Sequence, residues 1–199
     1  MSPVPPEPRV SLPRAGLPGL RGLEHIGIVV PDLVQATTFF ETVLGWPVVF
    51  TAGPFFDSQG ESMSRNFGVH PRSRVSRLAV VRSPFVNFEL FEGTAPDQLT
   101  TWPRLLDIGG LHLTVYVDEI GAAIDYLVKI GCESFGGHKP LGGPEEGPGA
   151  EFGHVRTPFG LYLEVISYPS GRAYENAAAI LAFNPSAPDT IAREGMVVA

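Results

Sequence analysis

The chain carries one sequence pattern twice, and this repeat is the strongest constraint on its fold. Residues 22–33 read GLEHIGIVVPDL, and residues 109–120 read GGLHLTVYVDEI. The alignment places His25 on His112 and, further along the chain, Phe40 on Leu127. A repeat at a fixed offset indicates one supersecondary unit used twice. We therefore expect two similar modules.

Each copy begins with a short β-branched run, which predicts a strand, and continues with a predicted amphipathic helix. An acidic residue between them is a plausible N-cap: Asp32 in the first copy, and Asp118 or Glu119 in the second. Leu-Gly and Ile-Gly end the two helices, with Gly45 and Gly131 as C-cap signals. The apolar positions at helical spacing are Leu33, Ala36, Phe39, Phe40, Val43 and Leu44, and then Ile120, Ala123, Ile124, Leu127 and Ile130.

Strand-like segments close each copy. They are residues 48–51, 75–82 and 85–91 in the first copy, and 151–157 and 161–167 in the second. A long insertion at 53–74 and a loop rich in glycine and proline at 136–149 interrupt this pattern. The predicted fold class is α+β, with two tandem βαβββ modules forming a cupped, mostly antiparallel sheet around a metal site.

A histidine and a glutamate recur in both copies. His25 and His112 open the first strands, whereas Glu89 and Glu164 lie inside the apolar closing strands NFELF and YLEVI. A carboxylate in such a strand is costly to bury unless it is paired or bound to a cation. If the modules pack as a pseudo-symmetric pair, the four side chains converge on one divalent ion. Zn, Ni, Co, Mn and Fe(II) all suit imidazole and carboxylate ligands. Glu92 is predicted to be a solvated strand end.

The segments LEHIGIVVPDL, FFETVLGW, GGLHLTVYVDEI and HVRTPFGLYLEVISYPSGRAYE resemble the vicinal oxygen chelate superfamily, and the resemblance covers Leu23 to Tyr168. This superfamily includes glyoxalase I, methylmalonyl-CoA epimerase, extradiol dioxygenases and the bleomycin- and fosfomycin-resistance proteins. The end of the matching region also resembles a bacterial subgroup that includes an epimerase of 2-epi-5-epi-valiolone, a cyclic sugar ketone. The resemblance implies one divalent metal ion and a small-molecule substrate that offers it neighbouring oxygens.

The resulting hypothesis is a metal-dependent epimerase or isomerase that transfers a proton next to a carbonyl, with Glu89 and Glu164 as catalytic bases. The substrate would be a sugar ketone or another hydroxy or acyl carbonyl compound. A lyase role also stays open. One alternative is an Fe(II) extradiol-type dioxygenase, and another is a non-catalytic drug-binding resistance protein of the same fold. Residues predicted to bind substrate, each with a solvated surface position as the alternative, are Tyr116, Tyr162, His154, Arg65 and His70.

The remaining features set boundaries. Residues 1–22 are predicted to be a flexible, proline-rich leader. The vicinal oxygen chelate domain is predicted to span 23–168, with modules at 23–95 and 109–168. Residues 169–199 are predicted to form a short helix with a tail.

The net charge of −7 argues against a nucleic-acid or anionic-membrane partner. No apolar run approaches the ~18 residues of a membrane span. A cytoplasmic location is the default expectation, and relatives of this kind suggest a homodimer.

Overall fold

The computed structural model describes residues 17–178 and 181–186. Within this part, the chain divides into two compact units, each with its own sheet. The first contains the residues up to 58 together with 74–93, and the second contains 59–73 together with the residues from 94 onward. Each predicted module forms the main body of one unit. The mixed α+β fold, with mostly antiparallel strands in two sheets, is confirmed.

The first unit contains a five-stranded sheet and one helix. The strands follow the order β1-β5-β4-β2, with β3 paired to β4; β1 runs parallel to β5, and β2 runs antiparallel to β4. The first and last strands of the module are therefore direct neighbours. The elements are β1 (His25–Val29), α1 (Leu33–Thr42), β2 (Val48–Ala52), β3 (Phe55–Phe56), β4 (Arg74–Arg82) and β5 (Asn87–Thr94).

Helix α1 forms where the sequence predicts it, and its N-terminus is capped twice. Asp32 Oδ1 accepts a hydrogen bond from the Gln35 N–H at 3.0 Å. Glu92 Oε2 accepts one from the Leu33 N–H at 2.8 Å and another from Arg77 Nη2 at 2.8 Å. The expectation that Glu92 is a solvated strand end is therefore wrong. Its carboxylate is held between a helix N-terminus and a guanidinium, both of which stabilise negative charge.

Aromatic packing joins α1 to the sheet of the first unit. The Trp46 and Phe88 rings stack with centroids 5.4 Å apart, and Phe40 meets Phe88 edge-on at 5.5 Å. Phe40 is fully buried on the helix face that the apolar spacing predicts. Gly45 follows the helix with a φ of +70°, a left-handed conformation that favours glycine.

The second unit contains a four-stranded sheet in the order β6-β9-β8-β7. Here too the first and last strands of the module, β6 and β9, are parallel neighbours, and β8 is antiparallel to both β9 and β7. Two short 3₁₀ turns cover residues 143–145 and 173–176. The elements are α2 (Ser62–Phe67), β6 (His112–Tyr116), α3 (Ile120–Lys129), β7 (Glu133–Pro140), β8 (Glu151–Arg156) and β9 (Tyr162–Ser167).

Strand β7 corrects the sequence prediction, which assigned residues 136–149 to a loop. Gly136 and Gly137 have φ values of +79° and +70°, and the pairing with β8 shifts register between Ser134 and His138. The two glycines form a bulge, after which pairing resumes. The two glycines made this part of the strand look like a loop in the sequence. The loop itself begins only after Pro140.

The outer parts of the predicted domain division are only partly visible. Residues 1–16 of the predicted leader and 187–199 of the predicted tail lie outside the described residues. Within the segment 169–199, which was predicted to form a short helix with a tail, a 3₁₀ turn forms at Ala173–Asn176. Among the described residues, no helix has both the length and the apolar character needed to cross a bilayer.

Candidate metal centre

The first module brings His25 and Glu89 together across neighbouring strands. In the parallel register of β1 and β5, His25 lies opposite Asn87 and Gly27 lies opposite Glu89. The His25 Nε2 and Glu89 Oε2 atoms are 3.4 Å apart. The Glu89 side chain is 25% exposed, so its carboxylate lies at a partly shielded surface that a small molecule can reach.

A second carboxylate holds the other side of the His25 ring. Nδ1 contacts a Glu24 carboxylate oxygen, and Asn87 Nδ2 donates to the other Glu24 oxygen at 3.1 Å. The hydrogen bond that His25 Nδ1 donates to Glu24 raises the pKa of His25, and the same contact lowers the pKa of Glu24. With Nδ1 paired to a carboxylate, Nε2 is the ring nitrogen available to a ligand, an arrangement typical of metal-binding histidines.

The second module repeats the pair with a different support. His112 on β6 and Glu164 on β9 have Nε2 and Oε2 atoms 3.3 Å apart. Thr114 lies opposite Glu164 in the register, and its hydroxyl donates to Glu164 Oε2 at 2.8 Å. Glu164 is more shielded than Glu89, with 16% of its side chain exposed.

His154 adds a third donor beside Glu164. It lies opposite Glu164 in the pairing of β8 and β9, and its Nε2 is 3.9 Å from Glu164 Oε1. Its ring meets that of His112 edge-on, with centroids 5.6 Å apart. Burial lowers the pKa of His154, although the negative charge of Glu164 acts in the opposite direction. The lowered pKa favours the neutral imidazole that a metal requires.

His112, His154 and Glu164 can each offer a ligand atom within 4.8 Å of the others. His154 was predicted from the sequence to bind substrate, and its position beside His112 and Glu164 makes it a candidate ligand as well. The signal that could have found it is strand alternation, which places a side chain on the same face as its cross-strand partner.

The other predicted substrate-binding residues have varied surroundings. Tyr162 stacks on Phe135 with centroids 5.7 Å apart, next to the cluster, whereas Tyr116 packs edge-on against Tyr168 at 4.8 Å. Arg65 is exposed on α2, and His70 Nδ1 accepts a hydrogen bond from the Arg72 N–H at 3.0 Å in a local turn. A role of Arg65, His70, Tyr116 or Tyr162 in substrate binding stays a prediction.

A cavity of about 610 Å³ opens beside His154 in the second unit. Its walls come from residues 104–107, which precede β6, and from β7, β8 and β9. Besides His154, the side chains that line it include Phe135, Lys139, Phe152 and Tyr162. A volume of this size is within the range of small-molecule sites.

A sequence profile of the glyoxalase/bleomycin resistance protein/dioxygenase superfamily matches residues 22–165. The match spans both modules and all four residues of the repeated His–Glu pairs. The chain belongs to this superfamily. The resemblance to vicinal oxygen chelate proteins is therefore confirmed.

Individual proteins that are similar in sequence or in structure agree with this assignment. A 2-epi-5-epi-valiolone epimerase from an Actinomyces species is 36% identical over 176 residues, which cover 85% of this chain and 92% of the relative. A glyoxalase family protein from Bacillus cereus has a TM-score of 0.57 at 22% identity, over 74% of this chain and 94% of that structure. A fosfomycin resistance protein from Listeria monocytogenes has a TM-score of 0.50 at 13% identity, over 80% of this chain and 99% of that structure. At these identities, the two structures support the fold alone.

The donor chemistry of the candidate metal centre fits a divalent transition metal. Imidazole nitrogen and carboxylate oxygen are ligands that Zn, Mn, Fe(II), Co and Ni accept. The second module offers two such imidazoles and one carboxylate, and the first offers one of each. The lowered pKa of His154 favours the neutral imidazole that donates a lone pair, and the contact of His25 Nδ1 with Glu24 leaves Nε2 beside Glu89.

Proposed function

We propose that the protein is a metal-dependent epimerase or isomerase that moves a proton at the carbon next to a carbonyl of a small sugar ketone or a related hydroxy or acyl carbonyl compound. The observation that carries the proposal is the repeated His–carboxylate pair. Its N–O separations are 3.4 Å in the first module and 3.3 Å in the second. The epimerase relative, at 36% identity over most of both chains, supports this reaction class.

One divalent ion would be held by His25, Glu89, His112 and Glu164. Zn, Ni, Co, Mn and Fe are all compatible with these ligands. When bound, such an ion acts as a Lewis acid that stabilises negative charge on a carbonyl oxygen. Glu24 would orient His25 through Nδ1, and the Thr114 hydroxyl would orient Glu164. Such contacts fix the direction of a ligand's lone pair.

Glu89 and Glu164 would perform the proton transfers. One carboxylate takes the proton from the carbon, so the C–H bond breaks, an O–H bond forms, and the electron pair passes to the carbonyl oxygen. Return of a proton to the opposite face of that carbon reverses these changes and inverts the centre. Two carboxylates from two modules offer one base for each face.

Deuterium exchange tests this reaction. In D₂O, we expect the metal-loaded protein to incorporate deuterium into 2-epi-5-epi-valiolone next to its carbonyl, as followed by proton NMR. Glu89→Gln and Glu164→Gln should each slow exchange by about 10²- to 10⁴-fold, the usual effect of losing a general base. Glu151→Gln is the matched control, because Glu151 also pairs with a histidine, His138, at 3.2 Å. If exchange is as fast in both site variants as in the wild type, the proposal is wrong.

A second candidate is an Fe(II) extradiol-type dioxygenase. One observation favours it: His112, His154 and Glu164 supply the two histidines and one carboxylate that non-heme Fe(II) oxygenases use. Oxygen consumption by the anaerobically Fe(II)-loaded protein with a catechol tests this reaction. Uptake of oxygen without deuterium exchange into a ketone would favour the dioxygenase over the epimerase.

A further inference from the structure

We propose that Arg172 is a positioning residue of the candidate site: it fixes the segment after β9 against the sheet of the second unit, and this packing holds Tyr116 where its hydroxyl contacts the substrate. The inference rests on the proposed function, because it adds two residues to the same site. Tyr116 follows Thr114 by two residues on β6, so strand alternation places both side chains on one face of the sheet. The Thr114 hydroxyl donates to Glu164 at 2.8 Å, so this is the face of the candidate ligands.

The Arg172 guanidinium is almost completely buried between two carboxylates and two aromatic rings, and 8% of the side chain is exposed. Its Nε donates to Glu175 Oε1 at 3.2 Å, and its Nη1 donates to Glu145 Oε1 at 3.3 Å. Its Nη2 donates to the Tyr174 hydroxyl at 2.8 Å, and its Cζ lies 4.2 Å from the centroid of the Tyr168 ring. A planar guanidinium makes these contacts together, whereas the ammonium of lysine cannot.

The backbone around Arg172 is joined to the loop before β8. The Ala173 N–H donates to the Glu146 carbonyl at 2.8 Å. The Gly171 carbonyl oxygen lies so close to Gly147 that a Cβ at Gly147 would overlap it. The segment that carries Arg172 is therefore held by a second loop of the same unit, which limits where the guanidinium can lie.

Tyr168 connects Arg172 with Tyr116. Tyr168 is 4% exposed, and its ring meets that of Tyr116 edge-on, with centroids 4.8 Å apart. Tyr116 also packs against the buried cluster that Tyr168 forms with Ala150 and Ile166. Side chains in such a cluster are close-packed, so a change in the position of one ring is felt by its neighbour. A displaced Tyr168 would therefore leave Tyr116 without its lateral support.

The Tyr116 hydroxyl is available to a ligand. The side chain is half-buried, and among the residues that the structure describes, no group forms a hydrogen bond with this hydroxyl. A tyrosine that is partly buried usually finds a partner for its hydroxyl. Ile166 lies opposite Tyr116 in the register and follows Glu164 by two residues on β9. A substrate at Glu164 is therefore next to the row of side chains that contains Tyr116.

Fluorine NMR tests the positioning directly. With all five tyrosines replaced by 3-fluorotyrosine, and each signal assigned from a single tyrosine-to-phenylalanine variant, we expect Arg172→Lys and Arg172→Met to shift the Tyr116 signal beyond its linewidth. The Tyr126 signal should stay in place, because Tyr126 lies on α3 and is 48% exposed. Arg74→Lys is the matched control, because Arg74 also lies over an aromatic ring, Phe56, at 4.4 Å in the first unit. An unchanged Tyr116 signal in both Arg172 variants would overturn the inference.

Deuterium exchange tests whether this positioning matters for the reaction. With 2-epi-5-epi-valiolone, we expect Arg172→Lys and Tyr116→Phe each to lower kcat/KM for exchange by about five- to tenfold, as for the loss of one hydrogen bond. The double variant should be within about twofold of Tyr116→Phe, because both changes remove the same contact. Losses that multiply in the double variant would overturn the inference, since Arg172 would then act independently of Tyr116.

The inference and the proposed function fail in different ways. If the wild type exchanges no deuterium into the ketone, the proposed function fails, and the fluorine spectra still decide whether Arg172 positions Tyr116. If exchange occurs at the same rate in Arg172→Lys as in the wild type, the proposed function stands and the inference fails. Affinity for Zn²⁺ should stay within about twofold of the wild type in Arg172→Lys and Tyr116→Phe, because neither residue orients a ligand. A larger loss of Zn²⁺ affinity would overturn the assignment to substrate positioning.

Discussion

The two glutamates of the candidate metal centre have different hydrogen-bond surroundings. Glu164 accepts from the Thr114 hydroxyl, whereas Glu89 lies opposite Gly27, which has no side chain to donate. For the histidines, the supporting contact is in the first module, where the Glu24 carboxylate contacts His25 Nδ1. The repeat places Leu at the position of Glu24 in the second copy. Each module therefore orients a different member of its pair.

These supporting contacts predict measurable losses of metal affinity. We expect Glu24→Gln and Thr114→Val each to weaken binding of Zn²⁺ by about 10- to 100-fold, the usual effect of removing a group that orients a ligand. Competition with a chromophoric chelator measures the affinity. Thr42→Val is the matched control, because the Thr42 hydroxyl donates only within α1, to the Thr38 carbonyl at 2.7 Å. Wild-type affinity in both variants would show that neither contact orients a ligand.

Cys132 is a buried thiol, and burial raises its pKa from 9.0 to about 11. The reactive thiolate is therefore scarcer in the folded protein than in the unfolded chain. At pH 8, we expect its modification by DTNB to be about a hundredfold slower in buffer than in urea, because two pKa units separate the states. Equal rates in buffer and urea would contradict the burial.

The same shift has a consequence for stability. An acid whose pKa is higher in the folded state favours folding only while it is protonated. Its contribution to the free energy of unfolding is therefore complete below about pH 9 and is lost as the pH rises toward about 11. A Cys132→Ala variant should lack this part of the decline in urea titrations at alkaline pH. A decline of the same size in the variant would assign it to other groups.

At the scale of elements, the N-terminus of α1 depends on a side chain from β5. Glu92 accepts hydrogen bonds from the Leu33 N–H and from Arg77, and 24% of its side chain is exposed. We expect Glu92→Ala to lower the free energy of unfolding by about 2 kcal/mol, as for other hydrogen bonds to a charged group. Urea denaturation measures this change.

Glu119→Ala is the control for Glu92. Glu119 occupies the N-cap of α3, but its side chain makes no capping hydrogen bond. Its replacement should change stability by less than about 0.5 kcal/mol, as is usual for exposed positions. Equal losses in the two variants would show that Glu92 has no special capping role.

Helices and strands differed in how far the sequence could predict them. Apolar residues at helical spacing and the glycines after each helix identified α1 and α3. Strand β7 was missed because its bulge uses Gly136 and Gly137, and composition alone does not distinguish a bulge from a loop. The cap from Glu92 was missed because it joins residues 59 positions apart, a pairing that only the folded sheet creates.

At the scale of the whole molecule, the duplication predicted the two His–Glu pairs better than any single motif. Two His–Glu pairs at equivalent positions predicted the close pairs of each module, and the structure contains both. His154 has no counterpart in the repeat, and its place beside Glu164 follows from the register of β8 and β9. Residues 104–107, which line the cavity, lie in a connection without periodicity, so their placement could not be predicted from the sequence.

The central proposal is that ligands from both modules hold one metal ion, and metal content per chain tests it most directly. After loading with Zn²⁺ and gel filtration, mass spectrometry should find about one ion per wild-type chain. His25→Ala and His112→Ala should each abolish retention, while His138→Ala, which breaks the unrepeated pair with Glu151, should retain the ion. Retention in His25→Ala together with loss in His112→Ala, or a folded wild type that binds no metal, would contradict the account.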